Sequence, residues 1–295
     1  MKILVFGAGG QVGHDVCRAA WPASCQVSPL DRGAVDITKA AAVDAVIALR
    51  QPDLVINLAA YTAVDRAESE PDAAWAVNCA GPAHIAAACG DRATPLIHLS
   101  TDYVFDGRKH GRYREEDAVN PLGVYGRSKE AGERAVRAAV AQHIIIRTAW
   151  VYGAHGTNFV KTILRLGSEQ PVLRVVADQY GCPTAAADIA SALIAIAGAI
   201  ERGGTRWGTF HFAGAGSVSW HGFAEAILDI AACRRGTRPL VEQITTDQYP
   251  TAARRPMNSV LDCTKIRETF GISQSPWRTS LAAVIQELLD QKPGV

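Results

Sequence analysis

The sequence predicts a doubly wound α/β fold: a parallel sheet with helices on both faces, and a smaller, interleaved α/β lobe built from the C-terminal part. Three observations carry this expectation. Short continuous apolar runs such as Ile3–Phe6 and Leu54–Leu58 read as strands buried on both faces. Helical stretches alternate with them through the first half, a pattern that gives parallel strands joined by crossover helices. A glycine-rich turn, Gly7-Ala8-Gly9-Gly10-Gln11-Val12-Gly13, separates the first strand from the first helix.

The elements follow in order. After Ile3–Phe6 and the glycine turn, a helix runs from about Gln11 to Ala20, and Gln26–Leu30 is a weaker strand. Thr38–Arg50 is helical, with Val43, Val46, Ile47 and Leu49 as its apolar contacts, and stops before the turn signal Pro52-Asp53. Leu54–Leu58 is the next strand. Asp72–Ala88 is helical with Pro82 inside it, which predicts a kink there, because proline lacks the N–H and crowds the preceding turn. Leu96–Ser100 is a strand, residues 106–121 a long loop, and Leu122–Ala141 a helix. His143–Arg147 is a strand with a β-branched centre, Ile144-Ile145-Ile146. The second half is less regular: helices at Asn158–Leu166, Asp188–Ile200, Ser219–Ala232 and about Leu281–Leu289, and strands at Val172–Val176 and Thr209–Phe212. No repeat or low-complexity linker divides the chain. The expected organisation is a first domain over 1–153, with 185–215 returning to it, and a second lobe from 154–184 and 216–295.

The chain has 295 residues, 48% apolar and 20% charged, which suits a globular protein with a sizeable core. Lysine plus arginine is 30 and aspartate plus glutamate is 29. Residues 1–150 carry 16 basic and 17 acidic side chains, and 151–295 carry 14 and 12. This balance offers no basic field for nucleic acid or an anionic membrane. The N-terminus lacks a secretory signal pattern, and the longest apolar run, Ile189–Ile200, is too short to span a bilayer. The seven cysteines include no Cys-x-x-Cys pair, so reduced thiols in the cytoplasm are the expectation.

The glycine turn has the spacing G-x-x-G-x-x-G on Gly7, Gly10 and Gly13. Such a turn lets backbone approach a pyrophosphate, and the helix N-terminus adds free N–H groups and partial positive charge. Asp31 closes the second strand, where a carboxylate would accept bonds from an adenosine ribose and favour NAD. Arg32 beside it would receive a 2′-phosphate, which leaves NADP open. Tyr125 and Lys129 are four residues apart, on one face of a helix. A neighbouring ammonium would pull the phenol pKa down toward working pH, so that the tyrosine exchanges a proton with a carbonyl oxygen while hydride moves. Seven tyrosines and seven lysines give such a pair by chance in about one chain of six this long. Its position after a nucleotide turn, with Ser100-Thr101 at the end of the fourth strand, strengthens it.

Together these residues resemble the extended short-chain dehydrogenase/reductase superfamily, and with it a Rossmann-like sheet. Finer motifs resemble one branch, the dTDP-4-dehydrorhamnose reductases. They are Asn57-Leu58-Ala59-Ala60-Tyr61-Thr62-Ala63-Val64-Asp65-Arg66-Ala67-Glu68, Ser100-Thr101-Asp102-Tyr103-Val104-Phe105-Asp106-Gly107, Arg147-Thr148-Ala149-Trp150-Val151-Tyr152-Gly153, Asp178-Gln179-Tyr180-Gly181-Cys182-Pro183-Thr184 and Arg255-Pro256-Met257-Asn258-Ser259. The resemblance implies NADPH- or NADH-dependent reduction of a nucleotide sugar, with Thr101, Tyr125 and Lys129 catalytic. It places Gly7, Gly10, Gln11, Val12, Gly13, Asp31, Arg32, Asp36, Ile37, Ala59, Ala60, Tyr61 and Asn78 at the cofactor, beside Tyr125 and Lys129. It places Val64, Asp102, Tyr103, Trp150, Arg255 and Asn258 at the substrate. His98 and His211 lie in apolar strands and read as core histidines.

Some members of the branch are homodimers with a metal, Mg2+, held by interface glutamates. The matching first-helix residue here is Asp15, with Asp188 a second candidate. Both are shorter than glutamate, so charged helix surface is the preferred reading and no metal ligand is assigned. The rival readings are another nucleotide-sugar epimerase or reductase of the same fold, and a non-catalytic NAD(P)-binding regulatory protein. Tyr103, where a dehydratase would carry a second carboxylate, and the intact Thr101, Tyr125 and Lys129 favour simple reduction.

Overall fold

The computed structural model describes residues 1–203, 206–236 and 238–290. β1 (Lys2–Phe6) leads through the glycine turn into α1 (Gln11–Arg18), followed by β2 (Gln26–Leu30), α2 (Ala40–Arg50) and β3 (Leu54–Asn57). Next come α3 (Val64–Ser69), α4 (Pro71–Trp75), a π-helical turn at Ala76–Ala80 and α5 (Gly81–Gly90). β4 (Leu96–Thr101) ends in a 3-10 turn at Asp102–Val104, and α6 (Val124–Ala139) leads to β5 (His143–Thr148). The chain continues through β6 (Val151–Tyr152), α7 (Phe159–Glu169), β7 (Val172–Val176), β8 (Tyr180–Gly181), β9 (Thr184–Ala185) and α8 (Ala186–Glu201). It closes with β10 (Gly208–His211), β11 (Val218–Ser219), α9 (Trp220–Arg235), β12 (Leu240–Ile244), α10 (Thr264–Phe270) and α11 (Trp277–Asp290).

Six parallel strands make the main sheet, in the order β10-β5-β4-β3-β1-β2. From β1 the chain steps outward to β2, then crosses to β3 on the other side. The crevice at such a reversal, beyond the carboxyl ends of the strands, is where open α/β sheets bind ligands. One face of the sheet packs on α1 and α8 through Val12, Val16, Ile189 and Leu193. The other packs on α2, α5 and α6 through Val43, Ile47, Ile85 and Val136. A second core joins α7, α9 and α11 to the parallel pair β7–β12, through Ile163, Leu173, Phe223, Ile227, Val241 and Leu281.

β10 lies beside β5 in the main sheet, so the chain does return there after its first visit to the second lobe. The span 216–295, expected to stay in the second lobe, divides instead. Val260, Leu261, Cys263 and Ile266 of α10 and its lead-in belong to the core beneath the main sheet. The break expected at Pro82 lies ahead of it: the π-helical turn ends at Ala80, and Pro82 then occupies the first turn of α5, where its missing N–H costs no bond. That wide turn buries Asn78 completely.

α6 is fixed to the sheet by a buried carboxylate. Glu133 is fully buried and takes Nε and Nη2 of Arg147 on β5 at 2.9 and 2.7 Å, with Ser100 Oγ on β4 at 2.6 Å and Arg137 Nη1 at 2.9 Å. Burial works against its charge, but these donors together hold the carboxyl below the usual range. Arg147 is 3% exposed and lies over the Phe105 ring. Removing one member leaves the other charged, buried and alone. Glu133→Ala is therefore expected to cost about 3–5 kcal/mol, read as a shift in the urea midpoint; a loss below about 1 kcal/mol would mean that the pair does not hold α6 in place.

Candidate active site

A cleft of about 920 Å3 opens along the carboxyl ends of the sheet strands. Its floor is the glycine turn. Gly7 has φ +83°, and a Cβ there would lie 2.4 Å from the Ala59 nitrogen; a Cβ on Gly13 would lie 2.1 Å from the Gly7 oxygen. Only glycine permits so close a meeting of β1, α1 and the segment after β3. No side chain caps α1 at Gly10, so its first N–H groups are left for a ligand. This cradle fits a pyrophosphate.

Gln11, Val12, Asp31, Arg32, Asp36 and Ile37 share the cleft wall. Asp31 Oδ1 accepts from Ala34 N at 2.9 Å, which shapes the turn after β2, and its Cβ packs 3.6 Å from where a Gly9 Cβ would stand. Arg32 is exposed beside it. Asp36 accepts from both Thr38 N and Oγ1, and those bonds hold its carboxyl below the ordinary range. Ala59, Ala60 and Tyr61 line the far side. Asn78 does not reach the cleft wall. From the π-helical turn its Oδ1 accepts from Tyr61 N at 2.8 Å, and its Nδ2 donates to Tyr61 O and Ser128 Oγ at 3.0 and 3.1 Å, so it fixes the backbone of the wall.

Thr101, Asp102, Tyr103, Tyr125 and Lys129 come together at the end of β4. Thr101 Oγ1 donates to Asp102 Oδ1 at 3.0 Å, and the Tyr125 hydroxyl bonds to Thr101. Burial pushes the Tyr125 phenol up to about 12, and the bond to Thr101 only softens this. The expected pull of Lys129 on Tyr125 is not found. Lys129 points its Nζ at Leu99 O, 2.7 Å away, and burial lowers it to about 8 while Glu133 one turn on partly restores it. Asp102 is raised to about 6 by burial, against bonds from Ser259 and Thr101. Asp102 and Lys129 are buried and Tyr125 is half-buried at the cleft wall, and this setting keeps the phenol protonated.

The opposite wall is aromatic. Trp150 has φ +47°, stacks on Trp220 with ring centres 3.4 Å apart, and presses on Gly181, where a Cβ would fall 2.3 Å from the indole. Val64 and Trp220 line the cleft with it. Arg255 and Asn258 are not among these walls. Arg255 grips Asp65 through Nη1 and Nη2 at 3.1 and 2.6 Å and bonds to Tyr103. Asn258 donates to Lys109 O and Gly111 O at 2.8 and 2.6 Å. His98 and His211 are fully buried; His98 Nδ1 meets Asn57 Nδ2, and burial lowers both imidazoles, His211 to about 3.

Sequence reasoning missed Trp220, which carries the stack under Trp150, and Glu133, which looks like helix surface in the string Glu130-Ala131-Gly132-Glu133-Arg134. It also left unread His14 and His155, which gather round Asp15. Asp188, the second candidate for a metal, is not in that group; its Oδ2 accepts from Ser280 Oγ at 2.6 Å.

The chain matches a family described as the RmlD substrate binding domain over residues 1–290. It is 46% identical over 284 residues to a dTDP-4-dehydrorhamnose reductase of Aggregatibacter actinomycetemcomitans, covering 95% of this chain and 97% of the relative. A crystal structure of a dTDP-4-dehydrorhamnose reductase from Clostridium acetobutylicum superposes with a TM-score of 0.91 at 38% identity, covering 98% of this chain and all of that one. A second, from Bacillus anthracis in complex with NADP, gives 0.89 at 35% identity, covering 97% and 99%.

Lys129 gives a linkage test. Its folded pKa lies below its unfolded value, so its burial cost is full below pH 8 and fades as pH rises through the window from about 8 to 10.5. Wild-type stability should therefore climb through that window relative to Lys129→Met, by about 2–3 kcal/mol in urea titrations. A gap that stays constant from pH 7 to 10.5 would show that Lys129 is not held at a depressed pKa.

Proposed function

The chain belongs to the RmlD substrate binding domain family, and from that premise we propose that it reduces the C4 ketone of dTDP-4-dehydro-6-deoxy-L-mannose to give dTDP-L-rhamnose, the last step in making that nucleotide sugar. The observation that carries the reading is the meeting of Thr101, Tyr125 and Lys129 in one cleft with an uncapped glycine-turn helix. The cofactor is NADPH or NADH. When bound, it supplies the hydride for C4.

The chain's own residues do the rest. Gly7, Gly10, Gln11, Val12 and Gly13 would hold the pyrophosphate, Asp31 and Arg32 the adenosine ribose, and Asp36 and Ile37 the adenine end. Ala59, Ala60 and Tyr61 would line the nicotinamide side. Thr101 orients the carbonyl oxygen. Tyr125 delivers its proton to that oxygen as charge develops, and burial keeps the proton in place until then. Lys129 holds the nicotinamide ribose. Val64, Asp102, Tyr103 and Trp150 face the sugar, with Trp150 as a flat wall against the ring. Arg255 acts on the substrate through Tyr103, and Asn258 secures the segment that carries it. We also read the protein as cytoplasmic, on its seven free thiols.

Tyr125→Phe is expected to lower turnover by about 10²–10⁴-fold with cofactor affinity nearly unchanged, measured as loss of NADPH absorbance on adding the ketosugar. An epimerase or a cofactor sensor would consume no cofactor at all. Arg32 is the exposed cation where a 2′-phosphate would sit. Arg32→Ala should raise KM for NADPH several-fold more than KM for NADH; equal effects on both would remove Arg32 from the choice of cofactor.

A further inference from the structure

His14 and Asp15 lie on α1, and His155 lies in the loop before α7. One ligand atom from each lies within 4.8 Å of the other two, in a half-exposed group. The two imidazole rings stand 3.3 Å apart at their centres. His14 Nδ1 is shut off from solvent, 3.8 Å from Asp15 Oδ1, too far for a hydrogen bond. Glu287 of α11 brings Oε1 to 3.8 Å from His155 Nε2. A Gly153 Cβ would stand 3.7 Å from Asp15 Oδ2, so no side chain fills that side.

Magnesium held by carboxylates is what the family resemblance implies here, and these residues do not fit it. Mg2+ takes oxygen ligands in a strict octahedron, whereas two imidazoles and a carboxylate suit zinc, nickel or cobalt. Ligands around a tetrahedral zinc at about 2.0–2.1 Å stand about 3.3 Å from one another, so a small inward movement of partly exposed side chains closes the set. We propose that His14, Asp15 and His155 form a binding site for a divalent transition metal of the zinc type, with Glu287 in reach as a fourth ligand.

The loop that carries His155 also builds the cleft. Gly156 and Thr157 line it, Gly156 has φ +68° and packs over Gln11, and Asn158 Nδ2 donates to Gln11 Oε1 at 2.9 Å. A metal on His14 and His155 therefore fastens this loop to the helix whose N-terminus faces the pyrophosphate. The site positions the cofactor wall and takes no part in the chemistry.

The test uses the full chain stripped with a chelator. Adding Zn2+ alone is expected to raise Tm with a one-to-one end point, and Co2+ alone to give the visible absorption band of a cobalt–imidazole complex. Millimolar Mg2+ should do neither. His14→Ala and His155→Ala, each checked to keep the metal-free Tm and circular dichroism of the parent, should lose the band and the Zn2+ shift. The proposal is overturned if Zn2+ binds with no one-to-one end point, if the variants bind as tightly as the parent, or if Mg2+ produces the same shift.

Discussion

One buried carboxylate sets the geometry of the site. Glu133 is held by Arg147 from β5 and Ser100 from β4, and it lies on the same face of α6 as Lys129 and Tyr125, one and two turns earlier. Rotating or sliding α6 would break those bonds in a dry interior, so the helix has one permitted position. Ser100 precedes Thr101, and the same carboxylate therefore fixes the strand end that carries Thr101. Its charge also works on Lys129, raising a pKa that burial lowers. A buried ion pair is weak evidence for stability in itself. Here it specifies which face of a helix meets which end of a strand.

Burial, which makes the carboxylate decisive, also works on the proton chemistry. An exposed tyrosine beside a lysine would lean toward phenolate, which suits oxidation of an alcohol. A half-buried tyrosine bonded to Thr101, with Lys129 turned to the Leu99 carbonyl, stays a phenol. A phenol is the form a ketone reduction needs at its start. Helical spacing alone puts Tyr125 and Lys129 on one face. Whether one ionises the other depends on where the ammonium points, and that is set by a backbone carbonyl thirty residues away.

The inner strands β1, β3, β4 and β5 were legible because they are buried almost throughout and read as apolar runs. The glycine turn, Asp31, Thr101 and Tyr125 were legible because each follows a strand of the sheet or sits on the helix beside one. β12 was not, because its Leu240-Val241-Glu242-Gln243-Ile244 buries only Val241 and Ile244, and that mixture resembles loop. The two-residue strands and α10 are too short for periodicity to register. Glu133 was hidden because a glutamate among charged neighbours on a helix reads as surface, and only the arginine on the next strand reverses that. Arg255 was placed at the substrate by the resemblance, but Asp65, some 190 residues earlier in the chain, already holds its guanidinium. His14 and His155 are likewise distant in sequence, with no spacing to link them.

Trp150 explains why the two lobes do not separate into a cofactor unit and a substrate unit. It packs against the core under the main sheet and also against the core of the second lobe. Its left-handed backbone costs of order 1–3 kcal/mol for a bulky residue, and the conformation persists because neighbours hold it. Trp220 stacks beneath the indole, and Gly181 leaves the room above. Both neighbours come from parts of the chain outside the first 153 residues, while Trp150 itself follows directly from β5. The aromatic wall of the cleft is therefore made only when the lobes are joined. A chain cut at residue 153 would keep the glycine turn and Tyr125, yet lose the contacts that orient Trp150 and the β10 strand that covers β5. The active site is a property of the seam, and the interleaving of the chain is what keeps the seam closed.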